Sequence, residues 1–223
     1  MSARAFFEGD ARRALSDAAA DVEARTSTSL LVAVRPRSAS YRHAHYLGGA
    51  LVALAALGAF LYHPEPFDTS LFPLEQAVFF ALGALLVGSS PWLCKLLAGE
   101  RTQRAAVRAA AREAFVDLGV AQTASRTGIL VFVSVFEGRV ELIADSGVDV
   151  AALGVRWDDA QKKLERAVRR DADPAALAGA VRELGTALEQ LLPCSKDAAD
   201  DESPEQDADD DERGSDAARG SAP

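Results

Sequence analysis

The sequence predicts an α/β fold: a small mixed sheet sandwiched by helices, with a two-helix transmembrane hairpin inserted into it. Three observations predict it. Two short apolar runs, SLLVAV at 29–34 and ILVFVSVF at 129–136, have the length and β-branched content of strands. Stretches with alanine and leucine at helical spacing flank them. Between the two runs stand two almost charge-free segments, 46–62 and 74–97.

The chain of 223 residues divides into four parts on these signals. Residues 1–37 form the first part of the α/β domain, 44–97 the hairpin, 99–193 the second part and 194–223 an acidic tail. The formal charge of −9 belongs to the tail. Eleven of the 33 Asp/Glu and only three of the 24 Lys/Arg lie between Ser195 and Pro223, leaving the rest near −1. Nothing here is basic enough for a duplex-DNA footprint, so no nucleic-acid partner is expected.

MSARAFFEGDARRAL has no apolar core after its charges, so no signal peptide is expected and the N-terminus is expected in the cytoplasm. Residues 6–25 read as a helix, with Asp10 as N-cap and Ala11, Leu15, Ala18, Ala19 and Val22 on one stripe. The buried strand SLLVAV follows and ends at Arg35-Pro36.

YLGGALVALAALGAFLY, 46–62, is seventeen residues without a charge, roughly 25 Å of helix. Tyr41, Tyr46 and Tyr62 stand near its ends, where interfacial aromatics belong. The second segment, 74–97, has Glu75 at its start and Pro91, Trp92 and Lys95 at its end. The connector HPEPFDTSLFPLEQ carries no Lys or Arg. Arg35, Arg37 and Arg42 precede the hairpin, and Lys95, Arg101, Arg104 and Arg108 follow it. The positive-inside rule then puts both termini in the cytoplasm and the connector outside, as in a two-span protein of the inner (plasma) membrane.

A helix is expected from Glu100 to Leu118, ended by Gly119. Arg101, Arg104, Arg108 and Arg112 share one face, either solvated or lying along the anionic inner leaflet. ILVFVSVF then reads as a central strand covered on both faces. Glu137-Gly138 reads as a two-residue type I′ turn, with Glu137 solvated at its tip. RVELIA, 139–144, returns antiparallel, while SLLVAV lies parallel to the central strand. Two helices follow: 157–170, then one begun by the cap Asp173 and Pro174 that runs to Pro193. Beyond Pro193 the composition cannot bury a core and reads as disordered.

Three quoted stretches resemble the TPM domain family: VEARTSTSLLVAV, AAAREAFVDLGV and, most specifically, TASRTGILVFVSVFEGRVELIADSGV at 123–148, followed by Trp157. The resemblance covers about Phe6 to Leu192, interrupted by the hairpin. It implies an α/β/α sandwich. It also implies either an assembly or repair role at membrane complexes or a weak phosphatase activity, as attributed to some plant members. Family members often carry a carboxylate just before or within the first strand, where this chain has Ser27, Thr28 and Ser29.

The residues themselves offer little catalytic chemistry. There is no GxxxxGK and no GxGxxG. His43, His45 and His63 all flank the first apolar segment, leaving the α/β domain without a histidine base or ligand. Cys94, at the end of the second span, is a packed thiol or a palmitoylation site; Cys194 has no partner base. DADDDE, 207–212, lacks the EF-hand glycine, since the sixth position is Glu212. Among the carboxylates Asp17, Asp21, Glu23, Glu137 and Asp145, Asp145 can cap its own Ser146-Gly147 turn. Alternatively, Asp145 and Glu23 form the candidate metal site for a divalent cation, calcium or magnesium, if their elements abut. No other cofactor is called for. The expected function is an interaction, assembly or maintenance module for a membrane complex, with membrane lipid and a membrane protein as partners. The alternative is a weak divalent-cation-dependent phosphatase.

Overall fold

The structure is a computed structural model that describes residues 6–62, 71–123, 125–170 and 173–193. The acidic tail with Cys194, His63 and most of the Pro-rich connector lie outside the described residues.

Helix α1 (Gly9–Arg25) leads into strand β1 (Ser29–Arg35). Two long apolar helices follow, α2 (Arg42–Tyr62) and α3 (Phe72–Ser89), then α4 (Pro91–Ala98) and α5 (Glu100–Asp117). Strands β2 (Gly128–Ser134) and β3 (Arg139–Ala144) come next, and α6 (Val150–Leu153), α7 (Val155–Arg170) and α8 (Pro174–Glu189) close the order. The sheet has the order β1-β2-β3, with β1 parallel and β3 antiparallel to β2. This small mixed sheet amid helices is the expected class.

Every residue of β2 is buried because helices cover it on both sides. Ile129, Val131 and Val133 pack with Leu15, Val22, Leu164 and Leu184 of α1, α7 and α8. Leu130 and Phe132, which alternate onto the opposite face, pack with Val107, Ala110, Ala111 and Ala114 of α5. Burying each such Leu, Ile or Phe contributes about 1.5–3 kcal/mol relative to leaving it in water.

Several boundaries moved. Glu8, not Asp10, is the N-cap of α1, and its side chain makes no cap bond. The segment expected as one helix over 74–97 is broken between Ser89 and Pro91. Pro91 has no N–H to continue α3 and forces Ser90 into extended backbone (φ −110°, ψ 105°). The turn after β3 holds the unforeseen α6, capped by Asp149, whose carboxylate accepts from the Ala152 N–H at 3.0 Å. Asp173 caps α8 as expected, accepting from the Ala175 N–H at 3.0 Å.

α2, with 21 residues, and α3, with 18, are long and apolar enough to cross a membrane, about 31 and 27 Å of helix. They pair through small residues. A Cβ on Gly83 would lie 2.7 Å from the Gly48 carbonyl oxygen and 2.8 Å from Val52. Backbones this close need glycine at the crossing. Leu51, Leu54, Leu61, Leu74, Leu85 and Leu86 turn outward, exposed.

Candidate functional site

The chemistry concentrates where the helix pair joins the sheet. The loop between β2 and β3 has four residues, Val135–Gly138, not two. A type I′ turn needs positive φ at both central residues. Here Gly138 has φ 63°, and Arg126 is the only described non-glycine with positive φ. The Gly138 N–H closes the loop onto the carbonyls of Ser134 and Val135, at 2.9 and 3.2 Å. Glu137 is thereby turned inward. It was expected in solvent and is only 4% exposed.

A buried carboxylate must be hydrogen-bonded, and Glu137 is. Its Oε1 accepts from the Tyr41 hydroxyl at 2.8 Å and from the Ser38 N–H at 3.1 Å. Its Oε2 accepts from the Ser134 hydroxyl. The Ser38 hydroxyl donates to Ser134 Oγ at 2.6 Å. Burial, and then the Glu137 carboxylate that accepts its proton, hold the Tyr41 hydroxyl well above the usual phenol range. The neighbouring Phe136 ring stacks on Tyr41 with centroids 5.9 Å apart. The Arg37 guanidinium lies 4.1 Å from the Phe136 centroid, and Lys95 Nζ lies 5.3 Å from it on the α4 side. Arg37 also donates to Cys94 Sγ at 3.4 Å, so Cys94 is a packed thiol, 3% exposed. The loop thus touches both the chain entering α2 and the helix leaving α3.

Beside Gly138 stands Arg139, 5% exposed. Its Nε has no hydrogen-bond partner, and its ion pairs to Glu100 and Glu165 are long, 3.6 and 3.9 Å. Burial, then the Arg169 and Arg104 guanidiniums, push Arg139 below its ordinary pKa; Glu165 and Glu100 oppose this. Burial likewise lowers Lys95, opposed by Glu137 and reinforced by Arg169. Lys95, Arg139 and Arg169 line one cleft of about 670 Å³ with Trp92, Leu96 and Glu137.

The two carboxylates proposed for a cation have separate employments. Glu23 Oε1 accepts from the Leu30 N–H at 2.8 Å and the Ser29 hydroxyl at 3.2 Å, tying α1 to β1 on the side away from β2. Asp145 follows β3. Its Oδ1 accepts from the Ser146 N–H at 2.7 Å and the Ser146 hydroxyl at 3.2 Å, so it does cap its own turn. Its Oδ2 is buried without a hydrogen-bond partner, 3.8 Å from Arg126 Nη1. Leu30 and Ala144 both pair with Ile129, which sets their backbones about two strand spacings, roughly 10 Å, apart. The sheet does not bring these carboxylates onto one ion, and among the described residues no group of three His, Cys, Asp or Glu could hold a metal.

Arg104 and Arg108 of the basic stripe pair with Glu100 at 3.3 Å and Glu141 at 2.9 Å, and the whole stripe is exposed. His43 packs edge-on to the Tyr41 ring, centroids 6.0 Å apart. Sequence reasoning missed Ser38, Tyr41, Ser134 and Arg139. Their one signal was polar residues at otherwise apolar or boundary positions, above all Ser134 within ILVFVSVF.

Fold and site together define a helix-rich α/β domain joined through a buried polar cluster to a pair of membrane-length helices. No protein-family model and no curated protein matches the chain. It is similar to a solved structure titled "NMR structure of BA42 protein from the psychrophilic bacteria Bizionia argentinensis sp. nov.". Identity is 15%, the match covers 85% of this chain and 86% of that one, and the TM-score is 0.49.

Proposed function

We propose that this chain is an integral membrane protein. In this reading α2 and α3 anchor a TPM-like α/β/α domain at the cytoplasmic face of the inner membrane, with both termini cytoplasmic. The domain serves as an interaction, assembly or maintenance module for a membrane complex. One observation carries the reading: the buried Glu137 cluster ties the base of the apolar helix pair into the sheet. A domain merely tethered to a membrane needs no such junction. The exposed leucines of α2 and α3 and the Lys/Arg bias of the flanks also support it.

The orientation is tested by a reporter inserted within 64–72, expected outside the cell; a cytoplasmic reporter overturns it. The assembly role is tested by photo-crosslinking from α7 and α8 in native membranes. Discrete protein adducts are expected, and their absence removes that role. The phosphatase alternative rests on the orphaned Oδ2 of Asp145. Phosphate-ester hydrolysis that requires a divalent cation and vanishes in Asp145→Asn would replace the assembly reading.

A further inference from the structure

We propose that the cleft between α4, the β2–β3 loop and the end of α7 binds a phosphate-type anion, with Lys95, Arg139 and Arg169 as its donors. Four observations carry this. Arg139 lines the cleft, is 5% exposed, and has a buried Nε with no acceptor. A buried guanidinium N–H without an acceptor is costly, and the planar fork of arginine matches phosphate oxygens. Two further cations, Lys95 and Arg169, line the same cleft, where Arg169 Nε is held by the Gly138 carbonyl at 3.2 Å. The carboxylates nearby make no ion pair with these cations shorter than 3.6 Å. Glu137 and Glu100 also line the cleft, but Glu137 directs its oxygens to Tyr41, Ser38 and Ser134, and Glu100 and Glu165 reach Arg139 only at 3.6 and 3.9 Å. Finally, Trp92 and Leu96 on the cleft's rim are 68% and 62% exposed and belong to α4, directly after α3. An amphipathic Trp at that level belongs in a headgroup layer.

The anion can come from a lipid phosphodiester headgroup or from free phosphate. The headgroup source rests on the membrane reading above, whereas free phosphate does not, so the two can fail separately. The full chain is purified in a non-ionic detergent. In one arm, phosphatidylglycerol or phosphatidylcholine is added to the micelles and bound lipids are counted by native mass spectrometry. In the other, inorganic phosphate replaces chloride at equal ionic strength and thermal stability is followed. Preferential retention of phosphatidylglycerol identifies the headgroup. A stabilisation by inorganic phosphate without lipid preference identifies the free ion.

In either case each cleft charge removed should weaken binding about fivefold, so Lys95→Gln with Arg169→Gln loses roughly 25-fold. Glu100→Gln should strengthen it, because a competing counter-ion is gone. Arg101→Gln with Arg112→Gln removes the same net charge from the exposed α5 face and should change binding less than about twofold. No preference in either arm overturns the proposal. So does an equal loss in the α5 variant, which would mean diffuse attraction to a basic surface.

Discussion

Tyr41→Phe tests whether the junction between the helix pair and the sheet is held by the buried carboxylate. The substitution removes one atom and leaves the ring against Phe136 and Arg37. The lost hydroxyl donates at 2.8 Å to a carboxylate only 4% exposed. A hydrogen bond to a charged group contributes about 1.5–3 kcal/mol. Glu137 Oε1 keeps the Ser38 N–H and Oε2 keeps the Ser134 hydroxyl, so neither oxygen is stranded. The expected loss is therefore about 2 kcal/mol, in the lower half of that range. For a chain of this size that lowers Tm by about 4–8 °C. The assay is thermal unfolding of the full chain in detergent, followed by circular dichroism, on wild type, Tyr41→Phe, Glu137→Gln and the double variant. A coupling of about 0.5–3 kcal/mol is expected between the two sites. The pH dependence has a definite sign. The folded pKa of Tyr41 is raised above the unfolded value of 10.0, so its contribution is fully present below pH 10 and is lost as pH rises through the folded pKa. The gap between wild type and Tyr41→Phe should stay constant to about pH 9 and narrow above pH 10. A gap below about 0.5 kcal/mol at neutral pH, or additivity of the two variants, would show that the Tyr41 hydroxyl does not hold the junction through Glu137.

Three further outcomes follow from the same structure. Gly83→Leu should cost at least about 1–3 kcal/mol by driving α2 from α3, whereas Gly58→Leu, where an added Cβ meets nothing within 4 Å, should be silent; thermal unfolding of both in detergent checks this. Asp173→Ala should destabilise by about 1 kcal/mol through loss of the α8 cap, measured by the same unfolding, while Asp173→Asn stays near wild type. Arg139→Met should leave Tm unchanged or raise it, because its ion pairs are long and its buried Nε is unsatisfied; a large fall would show that Arg139 is held in place for stability.

What could be read from the sequence was what local pattern determines. β2 was legible because a strand covered on both faces must be apolar at both parities, and Ile129 to Val133 are. Asp173-Pro174 and Gly119 were legible because cap and stop chemistry is written in one or two residues; Gly119 takes φ 67° as its place after α5 demands. The break at Pro91 was also written there, but the apolar run on both sides outweighed it. The position of Glu137 was not legible. Its neighbours spell a hairpin tip, and what buries it are Ser38 and Tyr41, 99 and 96 residues earlier. Arg139 was hidden for the same reason: strand alternation assigns it a face, while its cover comes from α5 and α7.

The placement of that carboxylate follows from the topology. A strand–helix–strand crossover normally returns directly, but here the chain leaves β1 through α2 and α3 and re-enters through α4 and α5 before pairing β2. Two long helices on such an excursion would swing freely unless both ends were fastened. The β2–β3 loop fastens both. Glu137 holds the outgoing chain through Ser38 and Tyr41, and Phe136 receives Arg37 from that chain and Lys95 from α4. Arg37 then links the two ends through Cys94. Arg139 is two residues from Glu137, and Lys95 and Arg169 stand around it. Any tilt of the helix pair must therefore move the loop that leads into Arg139 at the start of β3 and the helix, α4, that carries Lys95. Loss of the Tyr41 hydroxyl should accordingly weaken anion retention as well as stability, although Tyr41 does not line the cleft.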